Sequence, residues 1–330
     1  MKAAFIEQTG PANVIVWGTL PKPEIGPSQV LVNVAAVSVN PIDTYIRSGA
    51  VPFELPRPYI IGSDLAGTVE AVGSAVTRFK PGDRVWGSNQ GMLGRQGTFA
   101  EYAAVDDCWL YPIPEEVEES QAAALALVAI TAHIGTVHKA RVTSGDTVFV
   151  HGGSGGVGLC AIQMAKILGA RVITSAGSEE KADLCRQYGA DRVIQYRADD
   201  LDAALEQIVP EGVDVWWEFL REPNLEQIVV HMAVRGRIIL VAGRDAKPSF
   251  PVGPFYTRDL SLFGFAMFNT PPEEQRKCAA EINRWMARGR LKAHIGCQMQ
   301  LSQAAAAHQL QEENTLKKAG TLSGKIVLVP

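Results

Sequence analysis

Five cysteines are spread over 330 residues, and no two stand in C-x-x-C spacing. Their odd number argues against a disulfide framework and suits a reducing compartment. No apolar run approaches the roughly 18 residues of a membrane span. The nearest, residues 122–134, is alanine-rich and stops short. The opening MKAAFIEQTGPAN carries a lysine but no apolar run long enough for a signal peptide. Basic residues are scattered and the net charge is −4, which argues against a nucleic-acid partner. The six histidines form no H-x-x-x-H pair, and no Ser-His-Asp or Cys-His spacing marks a covalent nucleophile. Internal repeats and low-complexity segments are also missing. What is left, at 47% hydrophobic and 20% charged residues, is an ordinary globular chain expected in the cytoplasm, with no nucleic-acid or membrane partner.

The most informative stretch present is HGGSGGVG, from His151 to Gly158. A short apolar strand precedes it at residues 147–150, and an apolar helix follows to about residue 168. A strand turning sharply into a helix aims free backbone N–H groups, and the positive end of the helix dipole, at one spot. Glycines permit the tight turn and let a pyrophosphate approach the backbone. The candidates for this contact are Gly152, Gly153, Ser154, Gly155, Gly156, Val157 and Gly158. With strand and helix both in place, the pattern reads as a dinucleotide site.

At this length two domains are expected. Up to about Tyr111 the chain alternates in short strands, VLVNVAAV and GTVEAV among them, punctuated by proline and glycine. PGDRVWG reads as a turn entering a strand. That texture predicts a compact β-barrel-like domain with no long helix. A helix over residues 122–139, acidic at its approach, is long enough to bridge two domains. After it the prediction alternates strands at 171–175, 192–195, 213–219 and 237–241 with helices at 178–188, 201–209 and 225–232. Such alternation calls for a doubly wound parallel sheet. A proline-rich loop, KPSFPVGPF, leads to a strand near 260–265. Helices at 272–288 and 302–311 and a strand at 325–329 then return to the first domain.

HGGSGGVG with its trailing GLCAIQMAKILGA, NPIDTYIRSG, and GTVEAVGSAVTRFKPGDRVWG together resemble the zeta-crystallin type of NADPH:quinone oxidoreductases. These are zinc-free members of the medium-chain dehydrogenase/reductase superfamily. The likeness extends to SQAAAAHQLQ and GKIVLV, so it covers nearly the whole chain. It implies an α/β fold with a GroES-like β-rich catalytic domain, residues 1–121 and 266–330, and a Rossmann doubly wound domain, residues 122–265. It also implies a cleft for nicotinamide and substrate, and a homodimer joined through the Rossmann sheets.

An NAD-preferring site carries an acid about 20 residues past the glycines, on the ribose hydroxyls. Here the second strand ends in Thr174-Ser175-Ala176-Gly177-Ser178, with no acid at its tip. Ser178 opens the next helix and Lys181 lies in its first turn, beside Glu179 and Glu180, which add negative charge there. Lys181 with Tyr196 is similar to the pair that holds the 2′-phosphate in the quinone oxidoreductases, so NADPH is the expected cofactor.

Where zinc relatives carry a cysteine and a His-Glu pair, this chain has Asn40 and Ser63-Asp64. Neither amide nor hydroxyl competes for zinc, so no metal is expected. The resemblance implies that Asn40 orients the nicotinamide and Tyr45 donates to the quinone oxygen. Asp43 is structural, and Thr131, Gly243, Phe265 and Ala266 lie near the cofactor. FGFAMF is expected as a strand facing the cleft. WWEFLREPNL departs from the family's usual acid and glycine pair. Trp216 and Trp217 are either core, with Glu218 as the replacement acid, or they reshape the cleft. The expected activity is NADPH-dependent quinone reduction by direct hydride transfer. The alternatives are a reductase of activated C=C bonds in enals or enones, and a non-catalytic NADPH-binding sensor, RNA-binding or structural protein.

Overall fold

A computed structural model describes residues 1–330. The chain forms two compact units, Met1–Val128 with Pro271–Pro330, and Ala129–Thr270. The bounds expected from sequence lie a few residues earlier at each crossing. The first crossing falls within a helix.

The first unit opens with β1 (Lys2–Ile6), β2 (Val16–Thr19), β3 (Gln29–Val39), α1 (Pro41–Ser48), β4 (Tyr59–Ile60), β5 (Asp64–Val72), β6 (Arg84–Gly87), β7 (Tyr102–Asp106) and β8 (Leu110–Pro112). α2 (Glu119–His133) follows and runs into a π turn, Ile134–Lys139. α1 stands in a region whose sequence reads as short strands with no long helix. At eight residues it is too short to display a helical period, yet its ends are written in the sequence. Pro41 occupies the first turn, the Asp43 carboxylate accepts from Asn40 N at 2.8 Å, and Gly49 ends the helix at φ 83°.

The second unit is β9 (Thr147–His151), α3 (Gly156–Ile167), β10 (Arg171–Ala176), α4 (Glu179–Gln187), β11 (Arg192–Gln195), α5 (Leu201–Ile208), β12 (Val213–Glu218), α6 (Leu225–Val230), β13 (Met232–Leu240), α7 (Val252–Thr257) and β14 (Ser261–Gly264). Its sheet runs β11-β10-β9-β12-β13-β14 with every neighbouring pair parallel. This is the doubly wound order, and the topological switch lies between β9 and β12. Trp216 and Phe149 belong to a core with Ile228, Val229 and Ile238. Trp217 is also fully buried, on the other face, where a Cβ on Gly135 would overlap its ring. That close approach accompanies the π turn, where a regular helix to residue 139 was expected.

The chain closes with α8 (Pro272–Ala287), β15 (Ile295–Gln300), α9 (Ala304–Thr315) and β16 (Lys325–Val329). β16 pairs with β3, so the two ends of the chain share one seven-stranded sheet of the first unit. A separate three-stranded sheet is ordered β2-β1-β4. FGFAMF is not one strand: β14 stops at Gly264, and Met267–Asn269 form a 3-10 turn. The proline-rich loop likewise contains the start of α7. The stretch Glu119–Lys139 is apolar and long enough to cross a membrane by length and composition, contrary to the sequence expectation. However, 78% of its apolar window is buried within the protein, as in a core helix.

Candidate active site

Each glycine of the second unit's turn has its own physical reason. Gly152 sits at φ +87°, where a side chain is strained, and its N–H donates to Ser175 Oγ at 3.0 Å. A Cβ on Gly153 would overlap Thr174 Oγ1, and one on Gly158 would stand 2.7 Å from Gly153 O. Those two let α3 pack on the sheet. Gly155 is different: its φ is −79°, and a Cβ there would meet only Gly152 O, at 4.0 Å. Within the protein only its place as the cap of α3 favours glycine at 155, and the open space there could admit a ligand to the backbone. Gly155 caps α3 with no side-chain hydrogen bond, so the backbone N–H groups of its first turn, Gly156, Val157 and Gly158, could hold an anion.

At the next strand end Ser178 caps α4, its Oγ accepting from Lys181 N at 3.3 Å. A Cβ on Gly177 would collide with the Tyr196 hydroxyl, so Tyr196 lies against the same loop. Burial, followed by the neighbouring charge of Arg197, holds the Lys181 ammonium below its usual value; Glu180 opposes them. Arg197 was missed in the sequence, although it directly follows Tyr196. Glu179 pairs with Arg186, at 2.7 Å, and accepts from Gln195 Nε2. Two cations beside a helix N-terminus, with no acid at the tip of β10, form a place for an anion. Ser154 lies in the turn before α3, and Thr131 is buried in α2. Gly243, at φ +79°, follows β13, while Phe265 and Ala266 are half-buried just past β14.

The first unit holds a buried polar network. Lys325 Nζ donates to Val39 O at 2.7 Å and to Asn40 Oδ1 at 2.5 Å. Asn40 Nδ2 donates to Asp64 Oδ2 at 2.7 Å, an atom that also accepts from Ser38 Oγ at 2.8 Å. Ser88 Oγ donates to Asp64 Oδ1 at 2.7 Å, and Ser63 Oγ donates to Asp43 Oδ1. Burial pushes the Asp43 carboxyl up to about 7, partly opposed by Ser63 and added to by Asp64. Asp64 is raised too, again by burial, with Lys325 opposing. Asn40 is fully buried, whereas Tyr45, on α1, is half-buried.

Residues 26–115 match the family model of the alcohol dehydrogenase GroES-like domain, and residues 156–284 that of the zinc-binding dehydrogenase. The quinone oxidoreductase of Homo sapiens is 36% identical over 304 residues, covering 91% of this chain and 89% of that protein. A solved NAD-dependent alcohol dehydrogenase has a TM-score of 0.90 at 31% identity, with 100% of each chain covered. The Escherichia coli quinone oxidoreductase, solved with NADPH, has a TM-score of 0.87 at 25% identity, again over 100% of each chain. The chain belongs to the quinone oxidoreductase family of the medium-chain dehydrogenase/reductase superfamily. It is an oxidoreductase with a GroES-like unit and a Rossmann unit.

Proposed function

We propose that this protein reduces quinones with NADPH by direct hydride transfer, without zinc. The cofactor choice rests on Lys181, Arg197 and Tyr196 around the capped start of α4, with no acid at the tip of β10 to accept the ribose hydroxyls in the manner of an NAD site. Fold likeness leaves that choice open, since similar structures include an NAD-dependent enzyme and an NADPH complex. The open space at Gly155 suits the pyrophosphate. When bound, NADPH supplies the hydride, and the protein positions the reactants and excludes water.

Zinc independence is supported by the donors at the expected ligand positions. The Asn40 amide is engaged by Lys325 and Asp64, and the Ser63 hydroxyl by Asp43. An amide and a hydroxyl are poor zinc ligands, and the buried Lys325 ammonium already supplies positive charge beside the carboxylates. Asn40, expected to orient the nicotinamide, is itself held by Lys325 and Asp64 at the start of α1. Tyr45, on that helix, donates its hydroxyl proton to the oxygen on which charge arrives. Thr131, Gly243, Phe265 and Ala266 complete the nicotinamide side of the second unit's site.

A homodimer is supported by the free edge of β14 and the exposed apolar side chains Val234, Val252, Tyr256 and Leu262 in the same unit. Five free cysteines suit a reducing, cytoplasmic setting. The test is NADPH oxidation followed with a quinone and, separately, with an enone. Turnover with the quinone, reduced in Tyr45→Phe, is expected. Activity only with the enone moves the substrate assignment to activated C=C bonds, and activity with neither overturns the enzymatic proposal.

A further inference from the structure

At the switch point of the second unit's sheet, two buried side chains meet that the proposed chemistry leaves unused. His151 ends β9, Glu218 ends β12, and the two residues are direct partners in the parallel register. His151 Nδ1 lies 2.9 Å from Glu218 Oε2. The same Oε2 accepts from Trp216 Nε1 at 3.1 Å, and Oε1 accepts from Leu220 N at 2.6 Å. With N–H donors on both oxygens, the carboxylate is the acceptor and His151 Nδ1 the third donor. The imidazole is held edge-on to Trp216, ring centroids 5.8 Å apart, and is almost wholly buried.

Each partner touches a segment that faces ligand. The residue after His151 is Gly152, the positive-φ start of the phosphate-binding turn. The residues after Glu218 are Phe219 and Leu220, at the carboxyl end of β12, where ligands bind in a doubly wound sheet. Leu220 N is tied directly to the carboxylate. Phe219 stacks on Trp217 with centroids 5.3 Å apart, and a Cβ on Gly152 would reach Phe219 Cβ at 3.9 Å. One carboxylate thus sets the spacing between the pyrophosphate turn and the crevice segment after β12.

We propose that His151 and Glu218 are positioning residues for the dinucleotide, clamping these two segments at a fixed separation before the cofactor arrives. The clamp acts on the pyrophosphate and nicotinamide half of the site, and Lys181, Arg197 and Tyr196 act on the other end. It rests on the dinucleotide part of the proposed function, not on the choice between NADPH and NADH. Preorganisation of this kind shows in binding, because a loosened site has to be ordered by the ligand itself.

The test compares wild type, His151→Leu and His151→Asn by calorimetric titration with NADPH, NADH and adenosine 2′-monophosphate, which occupies only the far end. His151→Leu should weaken NADPH roughly tenfold, the order expected for one buried charge-assisted hydrogen bond, and leave adenosine 2′-monophosphate unchanged. His151→Asn, whose Nδ2 overlays Nδ1, should recover most of the loss. Should His151→Leu fail to fold, Glu218→Gln, which turns an N–H toward Trp216, should give the same split between ligands. Unaltered NADPH affinity overturns the clamp, as does equal weakening of NADPH and adenosine 2′-monophosphate, the mark of general loosening. Wild type binding NADH as tightly as NADPH would instead refute the 2′-phosphate assignment, and the clamp would then be read from NADH in the same variants.

Discussion

Two buried groups in the first unit respond to pH in opposite directions, and single substitutions should separate them. Burial holds the Asp43 carboxyl at about 7, against 3.8 in the unfolded chain. Between those values the folded state keeps a proton that the unfolded chain releases, so stability falls as pH rises through the window. His308 is the reverse. Fully buried with neither ring nitrogen hydrogen-bonded, and beside the charge of Arg47, it is held down to about 3 from 6.5. There the unfolded chain takes a proton that the folded state refuses, so stability falls as pH falls. At about 1.4 kcal/mol per pH unit, moving from pH 7.5 to 5 gains about 3 kcal/mol through Asp43 and loses about 2 kcal/mol through His308. The two partly offset in wild type, leaving a net gain of about 1 kcal/mol. Denaturant unfolding at both pH values should therefore show Asp43→Asn losing about 3 kcal/mol relative to wild type on acidification, and His308→Gln gaining about 2 kcal/mol. Parallel pH profiles for all three proteins would refute the burial argument for both groups.

Gly155→Val should still fold, since the site is open and the backbone ordinary, with a melting temperature lowered only by the small cost of a β-branched helix cap, yet lose dinucleotide binding in a fluorescence titration. Lys181→Ala and Arg197→Ala should each raise KM for NADPH about tenfold and leave KM for NADH nearly untouched, as steady-state kinetics would show. Lys325→Met removes the cation that faces two buried carboxylates and should cost roughly 3–5 kcal/mol. Adding Asp64→Asn should restore part of that loss in calorimetry.

Local chemistry makes much of this protein legible in its sequence. The alternation after residue 147 announced the parallel sheet, because each strand and helix carries its own period. HGGSGGVG announced the turn between β9 and α3, and the missing acid after β10 left room for the 2′-phosphate proposal. The eight residues of α1 were hidden from periodicity, although Pro41, Asp43 and Gly49 marked its ends. The π turn after α2 was illegible because it goes with Trp217, some 80 residues downstream, packing against Gly135.

Sequence by itself thus announced the two-unit organisation and marked the position along the chain at which dinucleotide binding is proposed, since both follow from neighbours within a few residues. Only the tertiary structure separated the glycines into those demanded by backbone angle, by packing and by neither. Only it revealed the buried link that Asn40 makes between Lys325 and Asp64, residues that stand 285 and 24 positions away. The same holds for His151 and Glu218, 67 residues apart and 2.9 Å from each other. Contacts of that kind are set by strand register and burial, which no local pattern records.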